Sequence, residues 1–172
     1  MLFESIFREL EERGVKYLVV GGLAVNFHGY DRVTGDLDIL VGFDRKNLEK
    51  FIAAIKSLGW RPRLPVSLEA FADSKKRASW IREKGMKVFT LYNPKKEAEH
   101  VDVMTEDFLD FDKAYQDKKM ISARDIQIPL VSIPDLIRLK KIAGRERDKI
   151  DIMALKEIQE LNQSEKKKQI RV

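Results

Sequence analysis

A chain of 172 residues with a net charge of +5, 44% hydrophobic and 35% charged, suits one soluble domain with a heavily ionised surface. The absence of cysteine excludes disulfides, thiol nucleophiles and thiolate metal sites, and no apolar run is long enough to span a bilayer. We expect a single domain over residues 1–164, a solvated Lys-rich tail over 165–172, no targeting segment, no membrane partner and a cytoplasmic location.

The opening segment Met1 to Arg13 carries Leu2, Phe3, Ile6, Phe7 and Leu10 on one side of a helix, closed by Gly14. Tyr17 to Val20 is apolar and β-favouring, and the glycine pair Gly21-Gly22 breaks it. Glycines at the end of a strand expose backbone N–H groups, and a helix over Leu23 to His28 would turn its positive end toward an anion. The plainer reading of the pair is a tight strand-to-helix turn.

Asp36 to Val41 reads as the second strand, opened by an Asp-x-Asp triplet. Side chains alternate along a strand, so Asp36 and Asp38 share one face while Leu37 and Ile39 enter the core. Their Cα atoms would lie roughly 6.5–7 Å apart, close enough for both carboxylates to lean onto a hard cation such as Mg²⁺. Without a cation the triplet reads as a turn residue after Gly35 followed by a solvent-facing acid.

Further along, Asn47 to Leu58 repeats a helical apolar pattern that Gly59 closes, and Arg61-Pro62-Arg63-Leu64-Pro65 is loop by its prolines. Ser67 to Lys84 reads as one helix in which Trp80 stands among cations, a setting for base stacking or for a core aromatic beside a solvated face. Met86 to Leu91 and the stretch containing His100 to Met104 are strands around an Asn93-Pro94-Lys95-Lys96 turn. Period two puts Asp102 on one face with His100 and Met104; Asp107, Asp110 and Asp112 fall in a loop or helix. Ile126 to Val131 suggests an edge strand because of Pro129. Ser132 caps a helix carrying Leu136, Ile137, Leu139 and Ile142 inward, and a last helix buries Ala154, Leu155, Ile158 and Leu161.

Gly21-Gly22, Asp36-x-Asp38 and a later strand acid, Asp102, resemble in type, order and spacing the signature of the nucleotidyltransferase superfamily of the DNA polymerase β type. His28-Gly29 and Arg32-x-Thr34 look most like small single-domain prokaryotic members, including those similar to AbiEii toxins of toxin–antitoxin systems. Lys140, then Gly144-Arg145-x-Arg147-Asp148-x-x-Asp151, is similar to the Lys and Gly-Arg-x-(Lys/Arg)-Asp-x-x-Asp pattern of that family. The resemblance spans most of Tyr17 to Leu161 and is thin from Arg61 to Tyr92.

The resemblance implies an α/β (α+β) polymerase β-like fold, a mixed central sheet of about five strands flanked by helices. It also implies that Asp36, Asp38 and Asp102 are catalytic and hold two Mg²⁺ (or Mn²⁺) ions about 3.5–4 Å apart. Gly21, Gly22, Thr34, Lys140 and Arg145 would bind the NTP, although Lys140 equally suits an ion pair between helices. The expected reaction moves an NMP from an NTP to a hydroxyl on a tRNA end, a protein or a small molecule and releases pyrophosphate. The rival is a catalytically idle nucleotide- or partner-binding module with a small antitoxin-like partner; phosphate-ester hydrolysis ranks third.

Overall fold

The computed structural model describes residues 3–170, with side chains through Glu165. Seven strands form one mixed sheet, more than the five or so that the sequence led us to expect. In chain order they are β1 (Tyr17–Val20), β2 (Leu37–Val41), β3 (Arg61–Pro62), β4 (Val88–Asn93), β5 (Lys96–Met104), β6 (Lys119–Ala123) and β7 (Ile126–Leu130). Across the sheet the order is β3-β4-β5-β2-β1-β7-β6. The two unexpected strands, β3 and β6, are its edges. Both carry exposed residues on one side, so they lack the apolar alternation that marks a strand in sequence. Consequently β7 is not an edge: it lies between β6, to which it pairs along its length, and β1, which it meets in parallel at Val19 and Leu130.

Among the described residues eight helices flank this sheet: α1 (Glu4–Glu12), α2 (Gly21–His28), α3 (Arg45–Ser57), α4 (Glu69–Ala72), α5 (Ser74–Lys84), α6 (Phe111–Gln116), α7 (Ile133–Ala143) and α8 (Glu146–Ile170). The single helix expected over Ser67 to Lys84 is divided, because the Asp73 side chain accepts from the Lys75 and Lys76 backbone N–H groups and starts a new helix. Helix α2 begins at Gly21 rather than Leu23, so the glycine pair is its first turn. Helix α8 continues through Ile170 where a solvated tail was expected. Residues 171 and 172, like Met1 and Leu2 of the first helix, lie outside the described residues.

One face of the sheet is sealed by aromatic rings. Phe89 on β4 stacks on Phe71 of α4 and on Trp80 of α5, with centroids 5.0 and 5.5 Å apart, and Phe51 of α3 completes the layer. Trp80 is 8% exposed, which assigns it to the core and removes it as a base-stacking residue. Arg77 on the same helix is also buried, its guanidinium 4.2 Å from the Phe43 ring centroid and donating to the Phe71 carbonyl. Since Phe89, Leu91, Val101, Val103, Leu37 and Ile39 all point into this layer, the alternate residues of β2, β4 and β5 face the opposite way. That opposite face carries the acids.

Candidate active site

The acids are brought together by strand register. β2 and β5 run parallel with Asp38 as the Cα partner of Asp102, so the two side chains stand next to each other on one face. The Thr90 hydroxyl, opposite Asp102 on β4, donates to its Oδ1 at 2.6 Å. Asp36 sits one residue before β2, and its side chain is 51% exposed. Its Oδ1 is 2.7 Å from His100 Nε2. The structure therefore joins Asp38 with Asp102 and clasps Asp36 to His100.

Among the described residues no cation forms an ion pair with Asp38. Burial first, then repulsion from Asp102 and Asp36, pushes its carboxyl up to about 6, against weaker opposing effects of Arg145 and the Gly22 backbone N–H. Among the described residues no three acidic or imidazole side chains form a group that could hold a metal ion. The donor chemistry nevertheless fits a hard divalent cation: Asp38 and Asp102 are neighbouring carboxylates with excess negative charge.

Both glycines are required by close approach. A Cβ on Gly21 would lie 1.8 Å from Asp38 Oδ2, and Gly21 has φ +65°. A Cβ on Gly22 would lie 2.6 Å from Thr34 Oγ1 and 3.1 Å from an Arg32 guanidinium nitrogen. The glycine pair thus lets a carboxylate and a loop press against the start of α2. The residue at its N-cap, Val20, makes no side-chain cap, and the Gly22 N–H is directed at Asp38.

Behind the site lies a buried ionic chain. Arg32 reaches Asp151 at 2.6 Å, Asp151 reaches Lys140 at 2.6 Å, and Lys140 reaches Asp148 at 3.2 Å. Asp148 in turn accepts from the Arg145 backbone N–H and from its Nε at 3.0 and 2.8 Å. Although burial works the other way, the Arg145 and Lys140 cations hold the Asp148 carboxyl below its usual range. Lys140 is 3% exposed and fully engaged, so it serves as the tie between α7 and α8. Arg145 is half-exposed and keeps its free side toward the acids.

A cavity of about 440 Å³ opens beside these groups. Its floor is Gly21, Asp38 and Asp102; its rim holds Lys87 and Arg145; one wall is apolar, with Leu136, Leu139 and Ile142 of α7 opposite Val88 and Met104. Ile142, expected to point inward, is half-exposed at this cavity, and Leu161 of α8 faces solvent rather than the core. Sequence reasoning missed Lys87, Thr90 and the His100 clasp. Only the period-two placement of His100 with Asp102 hinted at the last.

Solved structures with the same arrangement of elements decide the fold. A lincosamide antibiotic adenylyltransferase, LnuA, in its lincomycin-bound form is 20% identical, with a TM-score of 0.55 over 89% of this chain and 93% of that one. The chain has the nucleotidyltransferase fold. ANT(2'')-Ia in complex with adenylyl-2''-tobramycin aligns at 13% identity and a TM-score of 0.51 over 96% of this chain and 95% of that one. An antigenic nucleotidyltransferase-like protein from Paracoccidioides brasiliensis aligns at 16% and 0.52 over 87% and 71%. At such identities the likeness speaks for the fold alone. The sequence matches no protein-family model and no curated protein, and among the described residues no helix is long and apolar enough to cross a membrane.

Two outcomes follow from the electrostatics. Lys140→Ala leaves Asp148 and Asp151 buried without their shared cation and should cost about 3–5 kcal/mol in urea unfolding, against little change for the exposed neighbour Lys141→Ala. Asp38 holds its proton more tightly folded than unfolded, so its contribution to stability is present at low pH and lost as pH rises through about 6. In metal-free buffer, Asp38→Asn should melt near the unsubstituted protein at pH 4 and above it at pH 8, by up to about 3 kcal/mol. Parallel melting curves across that range would contradict the repulsion.

Proposed function

We propose that the protein is a divalent-metal-dependent nucleotidyltransferase that moves an NMP from an NTP to an acceptor hydroxyl and releases pyrophosphate. The observation that carries this reading is the pairing of Asp38 with Asp102 at the floor of a cavity bounded by the uncapped start of α2. Asp36, Asp38 and Asp102 would hold Mg²⁺ or Mn²⁺. Such an ion supplies charge neutralisation at the phosphates and lowers the pKa of a bound hydroxyl.

The chain's own groups supply the rest. The first N–H groups of α2, beginning at Gly21 and Gly22, seat the phosphates of the leaving group, with Thr34 against the same turn. Arg145, steadied by Asp148, adds positive charge on that side. The apolar wall of α7 receives the nucleoside. Thr90 occupies Oδ1 of Asp102, which leaves the other carboxylate oxygen to take the proton from the attacking hydroxyl. Catalysis then rests on position and fixed charge, with no covalent intermediate on the protein. Lys140 acts through Arg145 as a positioning residue rather than on the triphosphate.

Adenylyl transfer by the structural neighbours makes ATP the first donor to try. Incubation with each α-labelled NTP, Mg²⁺ and a mixture of RNA, protein and small hydroxyl compounds should give label transfer. Asp38→Asn should reduce it at least about a hundredfold, roughly 3 kcal/mol of transition-state stabilisation. Equal labelling by the two proteins would overturn the assignment.

A further inference from the structure

The acids lie at one end of two side-chain rows that cross the sheet, and neither row stops at the reaction centre. Cα partners share a face, so the register can be followed strand by strand. The first row runs Asp38, Asp102, Thr90, after which the Arg63 backbone N–H bonds the Thr90 carbonyl at 2.9 Å and places Arg63 beside it. The second begins with Asp36 clasped to His100, continues to Tyr92 as the partner of His100, and ends at Arg61 as the partner of Tyr92. Each row starts with a carboxylate and ends with an arginine, Arg61 on the edge strand and Arg63 just after it.

Three features make the outer part of these rows a docking surface. Arg61 and Arg63 are exposed and make no ion pair among the described residues. The Arg63 guanidinium carbon lies 5.9 Å from the Tyr92 ring centroid, which forms a cationic and aromatic platform of the kind that receives a stacked base and its phosphate. Glu99 of the nearby hairpin is occupied by Lys96 and Asn93. The span from β2 to β3 is three strand spacings, about 14 Å. Asp102 on β5 lies two strand spacings, about 10 Å, from β3, a gap that a short polymer ending at Asp102 bridges to both arginines.

The cavity lies on the other side of the acids, toward Met104 and Val88, whereas the platform lies toward His100 and Tyr92. Donor and acceptor would therefore meet the carboxylates from opposite directions, as in-line displacement at the α-phosphorus requires. Building on the proposed nucleotidyl transfer, we propose that the acceptor is the 3′ end of a single-stranded RNA, held by Arg61, Arg63 and Tyr92 with its terminal hydroxyl at Asp102. The hydroxyl oxygen bonds to the α-phosphorus, the bond to the bridging oxygen breaks, pyrophosphate leaves with that electron pair, and the hydroxyl proton passes to the carboxylate.

The test uses the full chain and a 12-nucleotide RNA with a 5′-fluorescein and a free 3′-hydroxyl. Anisotropy without nucleotide reads binding, and transfer from α-labelled NTP reads chemistry on the same RNA. We expect the paired substitutions Arg61→Glu and Arg63→Glu to weaken binding at least about tenfold and flatten the slope of log affinity against log salt by about 1.4, the loss of two phosphate contacts. Tyr92→Ala should weaken binding at least about fivefold without changing that slope. Transfer to the RNA should fall in step, while thermal melting and its shift on adding ATP and Mg²⁺ stay as in the unsubstituted protein. Binding unchanged within twofold, or label appearing on protein or a small hydroxyl compound and not on the RNA, would overturn the inference. Failure of the catalytic reading has another signature: no label on any acceptor and no melting shift with ATP.

Discussion

Two carboxylates in adjacent parallel strands, one of them mostly desolvated, carry more negative charge than their surroundings neutralise. The sequence could have put a lysine or arginine directly against Asp38, yet three nearby cations are engaged by other acids: Arg32 and Lys140 on Asp151, Arg145 on Asp148. What remains at Asp38 is a carboxyl raised to about 6, so the folded protein keeps a group it would be more stable without. In the proposed reaction, stability is surrendered at one point for a site that a bound cation would complete.

The surrounding structure makes that arrangement tolerable. Gly21 leaves room for the Asp38 carboxylate where any Cβ would collide with it. The aromatic layer of Phe51, Phe71, Phe89 and Trp80 fixes the other side of β4, and Phe89 partners Val103 two strands from the glycines. Strand spacing then does what no loop could do as reproducibly, setting carboxylates, His100, Thr90, Tyr92 and the edge arginines in register. The ionic chain from Arg32 to Arg145 ties the loop before β2 to α7 and α8. In the proposed reaction this division gives the nucleotide the cavity and the acceptor the open sheet.

Much of this was legible in the chain. Alternation alone placed Asp102 opposite Val101 and Val103, and the glycine pair announced a strand-to-helix turn that the structure shows at Gly21. Other features depend on neighbours that a linear pattern does not reveal. The sequence around Lys140 reads the same whether its ammonium faces a triphosphate or two buried acids, and only the packing of α7 on α8 distinguishes them. The pairing of Asp36 with His100 needs the parallel register of β2 and β5, since sixty-four residues separate the two. Edge strands β3 and β6 went unseen because solvent on one side removes the apolar period, and Pro129 pointed to an edge while sitting opposite Met120 inside the sheet. Arg61 read as loop because of Pro62 and Pro65, and its pairing with Tyr92 shows only in the sheet register.

The central claim is that Asp38 and Asp102 form a cation site that a nucleotide completes. Electron paramagnetic resonance of free Mn²⁺, titrated with protein in the presence of a non-hydrolysable ATP analogue, measures it directly. Loss of the free-ion signal with the unsubstituted protein, and at least about tenfold weaker binding by Asp102→Asn, is the predicted result. Equal Mn²⁺ binding by both proteins, or by neither, would contradict the account.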